Sequence, residues 1–133
     1  MLDKPAAQSS TRASGPLAGF RIVEFAGIGP GPFACMLLAD MGAEVIKVEP
    51  PGGEMGRANG LQPDGFSSFF EGHNRGKKSI TMDLKAAGAV DAVKRLVPTM
   101  DIVVENFRPG VMERLGLGYE DLNDHDELRK DPT

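Results

Sequence analysis

The feature that most constrains the fold is an uninterrupted succession of a strand, a dense glycine–proline turn, a helix and a second strand. Residues 20–25 are mostly β-branched or aromatic, residues 33–41 contain no helix breaker, and residues 43–49 return to a β-branched pattern. This succession predicts a β-α-β unit with parallel strands and a right-handed crossover. Pro32 is expected at the first helical position, where proline is favoured, and Gly42 just past the helix end.

The rest of the chain continues the alternation of strands and helices. Residues 78–84 and 101–105 are predicted as strands, and residues 87–98 and 110–115 as helices. Residues 50–77 are rich in Gly, Asn and Pro and are predicted as one long loop, a kind that is usually functional or mobile. The order β-α-β-loop-β-α-β-α predicts an α/β domain with a mainly parallel sheet. In such sheets, ligands bind beyond the carboxyl ends of the strands.

Composition excludes several classes of protein. Hydrophobic residues make up 41% and charged residues 26% of the chain, which is typical of one soluble globular domain. The formal net charge of −4 disfavours a nucleic-acid partner, and the chain contains no apolar run of the ~18 residues that a membrane span needs. The single cysteine, Cys35, excludes an internal disulfide framework and a cysteine-based metal cluster, and it fits a cytoplasmic location. No metal is expected.

The glycine–proline turn allows two interpretations. Gly27-x-Gly29-x-x-Pro32 nearly satisfies the dinucleotide fingerprint, and Glu49 follows where a ribose-binding carboxylate would lie. The fingerprint works through backbone N–H groups at the helix start, however, and Pro30 and Pro32 each remove one. NAD binding is therefore disfavoured. A loop that meets a ligand through its shape and carbonyl groups is favoured, and a rigid turn without a ligand is the alternative.

Several segments together resemble one known family. They are the run PLAGFRIVEFAGIGPGPFACMLLADMGAEVIKVEPPGG and then, in order, NRGKKSI from Asn74, MDLK from Met82, DIVVENFRPG from Asp101 and RLG from Arg114. In these segments the chain resembles the amino-terminal part of the family III CoA-transferases, the CaiB/BaiF-like family that also includes the α-methylacyl-CoA racemases. The resemblance covers residues 16–122, which correspond to only the first part of a typical member.

The resemblance implies a fold and an assembly. The fold is a partial Rossmann-like α/β domain with a mainly parallel sheet, part of the family's large domain. That domain binds coenzyme A, and its substrate is an acyl-CoA. The resemblance also implies that two chains form an intertwined homodimer. The expected layout is a disordered tail at residues 1–16, the amino-terminal part of the CoA-binding domain at 17–122, and a divergent or truncated tail at 123–133.

The resemblance also implies a CoA site at nine positions. They are Ile28, Gly29, Met82, Lys85, Asn106, Phe107, Arg108, Arg114 and Leu115. Independently of the family, Lys85, Arg108 and Arg114 fall at or just past predicted strand ends and supply cations for phosphate groups. Phe107 offers an aromatic surface for adenine or for the pantetheine chain.

Two further segments bear on this site. Pro50 stands where the family often has an arginine, and Arg57 is the candidate to replace that arginine in part. The basic cluster at residues 73–78 is either a solvated loop or a loop that faces the nucleotide.

No catalytic residue is predicted. In the family, the nucleophilic aspartate of the transferases and the His and Asp of the racemases lie downstream of the matched region, and the context of His125-Asp126 does not match the racemase site. The chain is therefore predicted to be the CoA-binding portion of an enzyme that moves CoA between carboxylic acids, without turnover of its own. The alternatives are a racemase-type fragment, and a non-catalytic nucleotide- or CoA-binding module or inactive remnant.

Overall fold

A parallel sheet of four strands organises the described residues. The computed structural model describes residues 14–25, 27–62 and 65–118. The strands are β1 (Arg21–Phe25), β2 (Glu44–Glu49), β3 (Lys78–Thr81) and β4 (Ile102–Val104). They lie in the order β3-β2-β1-β4, and every pairing is parallel. This confirms the predicted α/β fold.

In the part of the chain that the structure describes, four helices connect and cover the strands. They are α1 (Pro30–Asp40), α2 (Ser68–Asn74), α3 (Ala89–Leu96) and α4 (Val111–Arg114), and short 3-10 turns lie at Met55–Ala58 and Val97–Thr99. Helix α1 begins at Pro30, earlier than expected, so both prolines of the turn lie in its first turn. Its end is as predicted: Gly42 has a φ of 101°. The Ala43 N–H donates to the Leu38 carbonyl at 3.1 Å, a Schellman closure.

Helix α2 is the largest departure from the predicted elements, since it lies inside the segment predicted as one loop. The Ser67 hydroxyl accepts a hydrogen bond from the Phe70 N–H at 3.1 Å and donates one to the Gly56 carbonyl at 2.7 Å. A seven-residue helix that contains Gly72 is unstable by itself. Contacts with the 3-10 turn before it therefore supply the stability that its sequence lacks.

Smaller differences concern the element ends. β3 stops at Thr81, so residues 82–84 of the predicted strand lie outside it, and a turn begins at residue 84. The predicted helix at 87–98 is α3 followed by the 3-10 turn that includes Pro98. Residues 1–13 of the predicted tail and the whole of 123–133 lie outside the described residues.

The two faces of the sheet differ in character. The face covered by α3 and α4 is apolar, and its core consists of Val23, Phe25, Val48, Val93, Met112 and Leu117. The face covered by α1 is apolar only near the strand starts, where Ile22, Val45 and Cys35 pack together. Burial is the main reason why the pKa of the Cys35 thiol is raised to about 11, and the nearby Glu24 carboxylate adds to it.

Near the strand ends, this second face holds a ring of buried charges. Lys47 Nζ lies 2.7 Å from Glu24 Oε1 and 2.5 Å from Glu54 Oε2. Lys77 Nζ forms a further ion pair with Glu24 Oε2 at 2.7 Å. Asn74 closes the ring, because it accepts from Lys77 at 2.9 Å and donates to Glu54 at 3.1 Å. The four charged side chains are at most 5% exposed, and their charges cancel.

This ring, formed by Glu24, Lys47, Glu54, Lys77 and Asn74, connects segments far apart in the chain. Lys77 also donates to the Pro32 carbonyl at 2.8 Å, so the ring reaches the first turn of α1. Desolvation is the main cause of the lowered pKa of Lys77. Removing one partner of such a pair leaves a buried charge uncompensated. The ring therefore fixes the loop after β2, the end of α2 and the start of α1 over the same end of the sheet.

Neighbouring lysines allow a direct test of this ring. Lys77→Met is expected to lower the free energy of unfolding by about 3–5 kcal/mol, because it leaves Glu24 short of a partner in the interior. Lys78→Met is the matched control: its side chain is 70% exposed and pairs with Glu44 at the surface, so the loss should stay below about 1 kcal/mol. Urea unfolding at neutral pH measures both values, and equal losses would contradict the structural role of the ring.

Candidate ligand site at the carboxyl end of the sheet

Two adjoining cavities lie where the strands end. The larger has a volume of about 600 Å³ and lies among the ends of β2 and β3, the loop after β4 and helix α4. The smaller, of about 420 Å³, lies between the turn after β1, the residues at 53–55 and the loop after β4. Pro50 and Phe107 line both cavities. This is the end of the sheet at which ligands bind in parallel α/β folds.

Eight of the nine residues assigned by resemblance line these cavities. Met82, Lys85, Arg114 and Leu115 line the larger one, Ile28, Asn106 and Arg108 line the smaller one, and Phe107 lines both. Gly29 is not among the residues that line either cavity. It caps the amino end of α1 with a φ of 82°, a left-handed conformation that glycine adopts without strain. Its position gives it a conformational role in the turn.

The basic side chains at the cavities differ from most other basic side chains in their pairing. Within the part of the chain that the structure describes, no ion pair engages Lys85, Arg108 or Arg114, and all three residues are exposed. By contrast, Arg21 and Arg75 pair with carboxylates at 3.0 and 2.6 Å. Unpaired cations beside an apolar cavity can bind an anion without first breaking an internal ion pair.

Glu49, the candidate ribose ligand of the dinucleotide alternative, is fully engaged inside the chain. Arg57 donates to both of its oxygens at 2.7 Å, and the Ser79 hydroxyl and the Glu54 N–H donate to it as well. These bonds, those from Arg57 above all, lower the pKa of Glu49 to about 2 although burial opposes the shift. The dinucleotide alternative therefore lacks an available carboxylate at this position.

Arg57 does not take the place of the family arginine at position 50. Besides its two bonds to Glu49, its guanidinium lies 3.8 Å from the centre of the Phe70 ring, and Arg57 lines neither cavity. The side chain instead joins the end of β2 to α2.

The basic cluster at residues 73–78 neither forms one solvated loop nor faces the cavities. Lys77 is buried in the ion ring, and Arg75 and Lys78 pair with Asp40 and Glu44. His73 stacks on Phe69 with 4.3 Å between ring centres. None of the six residues lines either cavity. The cluster therefore joins structural elements of the fold.

Other kinds of site find little support among the described residues. In that part of the chain, no group of three or more His, Cys, Asp or Glu side chains has the arrangement to hold a metal ion. No helix there is long and apolar enough to cross a membrane. His125-Asp126 lies outside the described residues.

Some cavity residues were not predicted. Leu84 and Val111 line the larger cavity, and Met55 lines the smaller one. Leu84 could have been identified, because it lies between Met82 and Lys85 in a segment already assigned to the site. Met55 gives no such signal, since its placement depends on the neighbouring Glu54 entering the buried ion ring.

Comparison with known proteins identifies the family. The sequence profile of CoA-transferase family III matches residues 17–127. The probable fatty acyl-CoA transferase Rv3272 of Mycobacterium tuberculosis is 49% identical over 112 residues, which cover 80% of this chain and 28% of that protein. The succinyl-CoA–D-citramalate CoA-transferase of Chloroflexus aurantiacus is 49% identical over 117 residues, which cover 86% of this chain and 29% of that protein. The chain thus spans less than a third of the length of these relatives.

Solved structures agree with the sequence matches. A crystal structure of Rv3272 from M. tuberculosis superposes with a TM-score of 0.76 at 46% identity, over 86% of this chain and 30% of that one. A CaiB/BaiF family protein from Brucella suis superposes with a TM-score of 0.77 at 41% identity, over 83% of this chain and 30% of that one.

The bond between Arg57 and Glu49 allows a prediction about the stability of the chain in acid. The folded-state pKa of Glu49 is depressed from 4.5 to about 2. Its contribution to stability is therefore complete above pH 4.5 and is lost as the pH falls toward about 2. Arg57→Met removes the largest cause of the shift, so the midpoint of acid unfolding should move to higher pH.

Arg75→Met is the matched control, since it breaks an ion pair whose two side chains are both about half exposed. Its acid midpoint should stay close to that of the unsubstituted chain. Circular dichroism along a descending pH titration measures all three proteins. Coincident midpoints for Arg57→Met and the unsubstituted chain would refute the assignment.

Proposed function

The chain belongs to CoA-transferase family III, and on that premise we propose that it forms the amino-terminal, CoA-binding part of an enzyme that moves CoA between carboxylic acids through an acyl-CoA. The observation that carries the proposal is the grouping of Lys85, Arg108 and Arg114 around two adjoining cavities, where no ion pair engages them among the described residues. Cations without an internal partner suit a ligand that brings several phosphate charges.

The chemistry of the lining residues matches the parts of CoA. Arginine guanidiniums bind phosphate oxygens in pairs, and a lysine adds a point charge. Met82, Phe107 and Leu115 give the larger cavity an apolar surface against which an adenine ring or a pantetheine chain can pack. Its volume of about 600 Å³ lies within the usual range for small-molecule sites.

The turn after β1 completes the proposed site. Ile28 lines the smaller cavity, and Gly29 gives the turn its shape. Pro30 and Pro32 leave the turn with few N–H donors, so it would contact the ligand through carbonyl groups and side chains. Because position 50 is Pro50 and Arg57 is bound to Glu49, this site has one cation fewer than the family often has.

The transfer chemistry belongs to the longer enzyme in this proposal. The described residues would bind and orient the acyl-CoA, and no nucleophile is assigned to them. An intertwined homodimer and a cytoplasmic location stay predictions. The racemase alternative differs in its reaction, not in this binding site.

The proposal predicts CoA binding that depends on the cavity cations. In isothermal titration calorimetry at neutral pH, Lys85→Met and Arg114→Met should each weaken CoA binding by about tenfold, because each removes a charge-assisted bond to phosphate. Arg95→Met is the matched control, since Arg95 is exposed on α3 away from both cavities. Its affinity should equal that of the unsubstituted chain.

The same titrations separate the competing functions. Binding of NAD without binding of CoA would favour the dinucleotide alternative. A folded chain that binds neither compound would overturn the proposal, and a chain without a cooperative thermal transition would indicate an inactive remnant. Measurable CoA-transferase or racemase turnover by the 133-residue chain would contradict the assignment of catalysis to the longer enzyme.

A further inference from the structure

The side chain of Asn106 joins two loops at the point where the strand order of the sheet reverses. From β1 the chain proceeds to β2 and β3 on one side, and it then crosses to β4 on the other side. In such sheets the ligand crevice lies between the loops that leave the two strands at the reversal. Ile28 follows β1 and Asn106 follows β4, so a bond between them spans this crevice.

The amide of Asn106 packs closely into the turn after β1. Its Nδ2 donates to the Ile28 carbonyl at 2.9 Å. A Cβ atom added to Gly27 would lie 1.6 Å from Asn106 Oδ1, and one added to Gly31 would lie 3.1 Å from Asn106 Cγ. Any residue with a Cβ at position 27 would therefore displace the Asn106 amide.

Two side-chain donors hold carbonyl groups of the turn, in addition to the backbone bond from the Phe33 N–H to the Gly29 carbonyl at 3.2 Å. Pro30 and Pro32 have no N–H to donate. Lys77 donates to the Pro32 carbonyl at 2.8 Å, and Asn106 donates to the Ile28 carbonyl. Lys77 is fixed by the buried ion ring, so the helix end of the turn is held from inside the fold. On the cavity side, the turn is held by Asn106.

We propose that Asn106 is a positioning residue of the CoA site, an inference that rests on the function proposed above. It holds the turn at residues 27–31, and with it the place of Ile28 in the smaller cavity. One amide hydrogen is bound to Ile28, and the amide oxygen faces Gly27. Through this contact the residue acts on the ligand by way of the turn.

This role predicts that two different substitutions have the same effect. Asn106→Ala removes the donor, and Gly27→Ala displaces the amide without changing its chemistry. Each substitution should speed hydrogen exchange of the turn amides in the free protein by about fivefold, and each should weaken CoA binding by about fivefold. Both factors correspond to the contribution of one hydrogen bond. The double variant should be no weaker than the worse single variant, because both act on one contact.

The experiment follows each variant by residue-resolved NMR hydrogen exchange, calorimetric titration with CoA and thermal unfolding. Asn59→Ala is the matched control, since Asn59 is exposed and lines neither cavity, and it should change none of the three readouts. If Gly27→Ala does not fold, Gly31→Ala takes its place, because a Cβ at position 31 would lie 3.1 Å from the nearest Asn106 atom instead of 1.6 Å.

The outcomes separate this inference from other roles of Asn106. Weaker CoA binding with unchanged exchange in the free turn would indicate direct ligand contact and overturn it. A lower Tm with unchanged CoA affinity would indicate a purely structural role, and additive losses in the double variant would indicate two separate contacts. Either result also overturns the inference.

Failure of the proposed function can be recognised separately. If the folded, unsubstituted chain binds no CoA, that function fails, and exchange in the free turn decides only whether Asn106 holds the turn. Faster exchange of the turn amides in Asn106→Ala but not in Asn59→Ala then supports this holding role, and equal exchange overturns it.

Discussion

The burial of two lysine–glutamate pairs under one half of a parallel sheet is the constraint on which the ligand-binding end of this domain depends. Glu24 and Lys47 lie opposite each other in the register of β1 and β2, so the alignment of the strands places them together. Glu54 and Lys77 come from outside this pair and complete the ring. Because an unpaired buried charge costs several kcal/mol, the loop after β2 and the approach to β3 are held over the same end of the sheet.

This arrangement also separates the basic residues by role. Lys47 and Lys77 are neutralised inside the fold, and Arg57 is bound to the buried carboxylate of Glu49. Lys85 and Arg114 have no such partner among the described residues and lie at the larger cavity. The internal carboxylates thus hold the cations that stabilise the fold. The cations beside the cavities remain available for phosphate groups, which gives a mildly acidic chain a local site for an anionic ligand.

Much of the fold could be predicted because it depends on local sequence. β-branched runs, the glycine–proline turn and the helix end at Gly42 each carry their own signal, and together they predict a parallel α/β sheet. The cavity positions came from the resemblance of short segments, and the structure brings eight of the nine to two adjoining cavities. Helix α2 was missed because seven residues that include Gly72 have little helical stability without the contacts of Ser67.

The sequence by itself determined the order of the elements, the parallel sheet and the end of that sheet where Gly, Pro and several cations collect. The tertiary structure decided which charges lie inside. Lys77 and Lys78 are adjacent and chemically identical, yet one is 2% and the other 70% exposed. The difference arises because Lys78 lies opposite Ile46 in the register of the edge strand β3, while the side chain of Lys77 reaches Glu24 on β1. Composition carries no information about that register, since it exists only once distant strands have paired.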